Sequence, residues 1–335
     1  MRYVGLDVHY RSSTFCVLEE NGKELQCETV RGHWAKLLER LGTVTGPWTI
    51  CFEATCGYGY LYRELSRLAQ RVVVAHPGQL RLIFRAKRKN DRIDARKLAK
   101  LLYLDEVPTA YGPNEEVQSW RELIEHRRHM MDRQTIGKNA IHSLLRSHGM
   151  IAPKGLWTKK GLASLRQEEM PTSAARLRRD LLLDELSDAQ RRVRTVTQVL
   201  DESGGRHPGV LLLRTIPGVG IRTAETVAAY MDKAERFTRS KQVGAYFGFV
   251  PCQDASAGVN RLGHITRQGP ATARQYLVEA AWQGVYRSPT IRAYFERVQH
   301  GRPERRKIAL VATAHYLLRC MHAMLVHHQP WHEAP

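Results

Sequence analysis

Short apolar runs alternate with helical stretches through residues 2–104, and this alternation constrains the fold more than any other feature of the chain. Residues 2–8 (RYVGLDV) and 14–20 (TFCVLEE) read as two strands joined by the turn-prone stretch from His9 to Ser13. Asn21-Gly22 signals a hairpin into a third strand at 23–30. A helical pattern at 33–42 precedes a buried-looking strand at 48–53 (WTICFE), a helix from about 59 to 70 and an apolar run at 71–75 (RVVVA). Helices follow at 78–86 and 91–104. Three strands in meander order, then alternating helix and strand, predict a mixed α/β sheet and not an all-β sandwich.

That element order is the one found in RNase H-like folds, and it assigns residues 1–110 to one catalytic domain. Residues 115–147 and 172–203 are long, charge-laced and helical, with Pro153 and Gly155 ending the first of these helical runs. They predict an arm or coiled-coil hairpin over 111–205, although Leu123, Ile124, Met130, Ile136, Ile141, Leu144 and Leu145 do not make a clean heptad repeat. A third, mainly helical domain is expected over 206–335. Within it, LLLRTIPGVGIRTAETVAAYM (211–231) resembles a helix-hairpin-helix element. Gly218 and Gly220 would there let backbone N–H groups approach a phosphate at a helix N-terminus. AYFGFVP (245–251), a polar loop, a helix at 271–286 and a final helix at 305–327 complete the chain.

Lys and Arg number 52 against 33 Asp and Glu, a formal charge of +19. Such an excess implies a polyanionic partner, with nucleic acid first, because each phosphate contact releases condensed counterions. The cysteines show no C-x-x-C pair and no Cys/His ligand spacing, which argues against a structural zinc site or a disulfide framework. No signal peptide and no membrane span is read from the sequence, so a cytoplasmic protein is expected.

Four carboxylates stand out by position. Asp7 interrupts an otherwise apolar strand, Glu53 ends another (ICFE), and Asp91 and Asp94 lie three apart at a helix start. Residues at i and i+3 share a helix face, and neighbouring strand ends would bring Asp7 and Glu53 beside it. Four oxygen donors at one place suit a hard divalent cation, Mg²⁺ or Mn²⁺, and two such ions can serve phosphoryl transfer. Arg85, Lys87, Arg88, Lys89, Arg92 and Arg96 crowd the two helix acids and are candidates for phosphate contacts. Read singly, each acid also fits a strand cap or a helix N-terminus, which favours acids in its first turn.

GLDVH (5–9), CFEATCGYGYLYREL (51–65), VAHPGQLRLIFRAKRKNDRIDARKLAKLL (74–102), LLLRTIPGVGIRTAETVAAY (211–230) and ASAGVNRLGHITRQGPATARQYLVEAA (255–281) together resemble the DEDD transposases of the bridge-RNA-guided insertion-sequence family. The likeness runs in order from near residue 1 to about 290. It implies a RuvC-like catalytic domain carrying Asp7, Glu53, Asp91 and Asp94, a helical arm, and a C-terminal transposase domain with a serine nucleophile. In this chain the serine falls at Ser256, with Ser240 as the alternative, and Arg261, His264 and Arg267 beside it to neutralise developing charge. The family pattern places two serines before the glycine, whereas here Ala255 takes the first place and Ala257 separates Ser256 from Gly258.

The resemblance further implies donor and target DNA, a noncoding guide (bridge) RNA, and a homo-oligomer, dimer or tetramer, with a composite site shared between subunits. Three rival readings remain open from sequence: a RuvC-type structure-specific nuclease using only the acids and water, a DNA invertase with the same chemistry, and a non-catalytic nucleic-acid-binding protein.

Overall fold

The computed structural model describes residues 1–54, 57–83, 90–256 and 259–333. They form two compact units, Met1–Glu115 and Glu116–Pro335. The first contains β1 (Arg2–Val8), β2 (Ser12–Leu18), β3 (Glu24–Arg31), α1 (Trp34–Gly42), β4 (Trp48–Glu53), α2 (Tyr58–Leu65), β5 (Arg71–Ala75), α3 (Pro77–Ile83) and α4 (Asp91–Tyr103). Its strands make one sheet in the order β3-β2-β1-β4-β5. β2 runs antiparallel to both β1 and β3, whereas β4 is parallel to β1 and β5 to β4, so the sheet is mixed.

Side chains on a strand alternate between faces, and β1 uses both. Val4, Leu6 and Val8 enter a core with Phe15, Ile50 and Phe52 and with Leu37, Leu41, Leu61 and Leu65 from α1 and α2. Tyr3, Gly5 and Asp7 take the opposite face, where Tyr3 packs against Leu98, Leu101 and Leu102 of α4. At Gly5 there is no room for a side chain. A Cβ there would lie 2.1 Å from the carbonyl oxygen of Ala95 and 2.2 Å from the amide nitrogen of Ala99. The backbone of α4 therefore rests directly on β1.

The second unit continues with α5 (Glu115–Ser147), α6 (Lys159–Gln167), α7 (Ser173–Gly204), α8 (Pro208–Leu213) and α9 (Ile221–Met231), then α10 (Ser240–Tyr246), β6 (Pro251–Ser256) and β7 (Val259–Ile265). The last helices are α11 (Ala271–Arg287), α12 (Pro289–Gln299) and α13 (Arg306–His327). With 33 and 32 residues, α5 and α7 each extend about 50 Å. They pack antiparallel along much of that length. Ile124 meets Leu200, Arg127 Nε donates to Thr197 Oγ1 at 2.8 Å, and Ile141 meets Leu183. These helices and the elements after residue 206 fall within one compact unit.

One expectation is corrected. The polar stretch after Pro251 is an antiparallel hairpin, β6 with β7, and not a loop. Residues 251–253 and 261–264 are exposed, so this ribbon carries no apolar alternation that a sequence reading could detect. The segment Pro303–His327 is long and apolar enough to cross a membrane by length and composition. Its Ala314, Leu317, Leu318 and Met321 are buried in the core of the second unit with Phe247, Leu277 and Ala281.

That core borders a buried charge. Glu225 on α9 is 1% exposed and meets Arg222, with Nη1 2.8 Å from Oε1. Burial pushes its carboxyl up from 4.5 to about 7, with Arg222 and Arg127 opposing. The folded chain therefore keeps a proton that the unfolded chain releases, and the resulting stability is full below the unfolded value and lost as pH rises through the folded one. Urea unfolding should become easier between about pH 5 and about pH 8, and Glu225→Gln should flatten that part of the profile.

Candidate active site

In the first unit the fold brings carboxylates from distant stretches of chain to one end of the sheet. Asp7 closes the row of β1 side chains that faces α4. β1 and β4 are parallel with Leu6 beside Phe52, so Glu53 ends β4 next to Asp7, one strand spacing of about 4.8 Å away. α4 begins at Asp91. The side chain of Asn90 caps it, Oδ1 accepting from the Arg92 amide at 3.0 Å. Because α4 rests on Gly5, two residues before Asp7, its first turn delivers Asp91 and Asp94 to the same end of the sheet.

His9 completes the centre. Its Nε2 lies 3.5 Å from Asp7 Oδ2 and 3.9 Å from Asp91 Oδ1. One ligand atom from each of Asp7, His9 and Asp91 falls within 4.8 Å of the others. Asp94 lies 3.7 Å from Lys97 Nζ. The Asp7 carboxyl is raised above its ordinary value, first by burial and then by the charges of Asp91, Asp94 and Glu53, with His9 pulling the other way. Ionised, this cluster is a concentration of negative charge that a cation would relieve. Clustered carboxylate oxygens form a donor set that suits Mg²⁺ or Mn²⁺.

A second group, Cys16, Glu24 and Cys27, also lies within 4.8 Å, across the β2–β3 pair where spacing along the chain conceals it. Its chemistry differs. Burial pushes the Cys16 thiol up to about 12, and Arg96 holds Glu24. Protonated sulfur and an occupied carboxylate make poor metal ligands.

The other sequence candidates divide. Ser256 is the last residue of β6, paired through its backbone with Val259 at the tip of the hairpin; its side chain lies outside the described residues. Ser240 opens α10. Arg261 is exposed on β7, and exposed Arg267 follows it with φ at 56°. Arg274 secures the foot of the hairpin, donating to the carbonyls of Phe247 and Gly269 at 3.1 and 3.2 Å. Arg92 is exposed at the start of α4. Arg96 pairs with Glu24, its Nη2 3.1 Å from Oε1. Arg85, Lys87, Arg88 and Lys89 lie outside the described residues.

Gly218 has φ at 92°, and a Cβ there would lie 2.5 Å from the amide nitrogen of Gly284 on α11. Packing within the chain thus accounts for that glycine without a phosphate. Gly220, exposed at the start of α9, keeps an open face. His9 is the residue that sequence reasoning missed, absorbed into the turn after β1. The available signal was its place two residues after Asp7, since period two puts both on one face.

A DEDD transposase model of the IS110 type matches residues 4–150, and the model described as "Transposase IS116/IS110/IS902 family" matches residues 210–296. The chain is a DNA transposase, and both matches are to models of IS110-type transposases. All four acids of the transposase fall in the first match, and Ser240, Ser256, Arg261 and Arg267 fall in the second. Among curated relatives, the transposase is 24% identical over 305 residues to the "Transposase for insertion sequence element IS1328" of Yersinia enterocolitica, covering 89% of this chain and 85% of that protein. It is 25% identical over 293 residues to the "Transposase for insertion sequence element IS1111A" of Coxiella burnetii, covering 84% and 77%.

Proposed function

We propose that this insertion-sequence transposase cuts and rejoins DNA at an RNase H-like (RuvC-like) centre built from Asp7, Glu53, Asp91 and Asp94, with Ser256 as nucleophile. The observation that carries the reading is the meeting of Asp7, His9 and Asp91 within 4.8 Å, with Asp94 and Glu53 acting on the same carboxylate. Asp7, Asp91, Asp94 and Glu53 would hold the metal. A divalent ion such as Mg²⁺ or Mn²⁺ held there would supply charge stabilisation for a phosphodiester exchange. His9 orients Asp7 and Asp91 and offsets their mutual repulsion.

The serine step balances as a transesterification. Ser256 Oγ forms a bond to phosphorus, the bridging deoxyribose oxygen departs and takes up a proton, and the serine hydroxyl proton is released. A phosphoserine ester then keeps the cut end until a strand hydroxyl attacks it and restores the serine. Exposed Arg261 and Arg267 flank the hairpin that carries Ser256 and can neutralise charge on the phosphate. The family resemblance supports a composite site assembled in a homo-oligomer, dimer or tetramer. Ile136 on α5 and Leu177 and Leu181 on α7 are exposed apolar side chains on the long helices and supply surface for that assembly. A noncoding guide RNA would choose donor and target DNA by base pairing, in the cytoplasm.

Ser256→Ala tests this against the nuclease alternative. Strand exchange should fall by at least about a thousandfold, with DNA binding kept within about twofold. Retention of cleavage by Ser256→Ala would instead favour an enzyme that uses the acids and water alone.

A further inference from the structure

Beside the acidic centre stands a group of rings that the chemistry above does not use. Tyr10 follows His9 directly and is 68% exposed. Its ring meets His33 edge-on at 5.8 Å and Trp34 at 6.3 Å. Trp34 stacks on Tyr60 at 6.0 Å with 20° between the planes. The group is fixed to the site itself, because the Trp34 indole N–H donates to the carbonyl of His9 at 3.2 Å. Gly57 makes room for it: φ is 82°, and a Cβ there would meet the Trp34 ring at 2.4 Å.

Burial does not explain this arrangement. Trp34 is half-buried against the core below, but Tyr10, His33 and Tyr60 are exposed. Large rings left in solvent lose the apolar burial that usually places them. Cations flank the rings along the chain: Arg11 follows Tyr10, and Arg31 and Lys36 lie two residues before His33 and two after Trp34; all three are exposed, and no ion pair occupies them among the described residues. Arg63 lies over Tyr60, 5.9 Å from the ring centroid. Aromatic faces interleaved with cations are what an unstacked nucleobase and its phosphates require.

We propose that Tyr10, His33, Trp34 and Tyr60 form a stacking platform for unpaired bases of the DNA strand presented to the acidic centre. The occupant is single-stranded DNA. Tyr10 is the immediate neighbour of His9, so a base on these rings brings its own backbone to the carboxylates, which a guide RNA paired elsewhere has no need to approach. Bases freed from the duplex would otherwise re-pair, and stacking them keeps the scissile phosphate extended. The proposal rests on the acidic centre being where DNA is cut, but the stacking can be measured without cutting.

The test is binding of a fluorescent oligo-dT strand to the full-length transposase in EDTA, with a duplex and an RNA strand of equal length for comparison. Tyr10→Ala and Tyr60→Ala should each weaken oligo-dT binding by about fivefold to a hundredfold and change duplex binding by less than about twofold. Tyr10→Phe should bind like the parent and Tyr10→Leu like Tyr10→Ala, because a ring face and not apolar bulk is needed; both leave an exposed position folded. Equal losses for duplex and single strand, no loss in either alanine variant, or a loss confined to RNA would each overturn the platform. Asp7→Asn separates the two ideas, since it should keep oligo-dT binding while losing cleavage. If it instead retains cleavage, the acidic centre fails while the binding result stands on its own.

Discussion

Asp7→Asn should lower DNA cleavage by roughly a hundredfold or more, yet make the metal-free protein harder to unfold. Both effects come from one carboxylate. Asp7 is raised by burial and by three neighbouring acids, so folding has to place an ionised group where it is disfavoured. A carboxyl raised in the folded state takes up a proton more readily there than in the unfolded chain. Stability is therefore full at low pH and lost as pH rises through the raised value, leaving the ionised form as a penalty near neutrality. Asparagine has similar shape and no charge. A higher unfolding temperature than the parent's is expected in EDTA at neutral pH. Mn²⁺ should reverse the ranking, stabilising the parent protein by mass action and leaving Asp7→Asn nearly unmoved. Calorimetry with and without the ion reads both arms.

Gly5→Ala should disturb the fold of the first unit strongly. The added carbon would sit 2.1 Å from the Ala95 oxygen and 2.2 Å from the Ala99 nitrogen, both backbone atoms of α4 that cannot turn aside as a side chain would. Either the helix moves off the sheet or β1 bends, at a cost of about 3 kcal/mol or more. Asp91 and Asp94 would move with the helix. Gly5→Ala should thus also lose Mn²⁺-dependent stabilisation while every acidic residue is still present, which a loss of stability alone would not cause. Gly42→Ala is the control: nothing lies within 4 Å of that Cβ, and urea unfolding should be unchanged.

The catalytic half was more legible than the rest because its elements bury apolar faces. Val4, Leu6 and Val8 mark one side of β1, and Asp7, out of place among them, marks the other. The helix start at Asn90-Asp91 follows from cap chemistry and the paired acids. Where burial does not govern placement, the pattern is silent. The β6–β7 hairpin exposes residues on both strands and reads as loop. The pairing of Arg96 with Glu24 is hidden in the same way, because Glu24 lies 72 residues away on β3. The packing of Gly218 on α11 is hidden because that helix comes much later in the chain. His9 and Trp34 were hidden for the same reason, being joined by a hydrogen bond from an indole to a backbone carbonyl 25 residues earlier.

An anomalous-difference map from crystals grown with Mn²⁺ tests the central claim most directly. Density for the ion should appear among Asp7, Asp91 and His9, within reach of Glu53 and Asp94, and vanish in Asp7→Asn crystals. A protein that cleaves DNA in the presence of Mn²⁺ yet shows the ion elsewhere, or nowhere on the first unit, would contradict it.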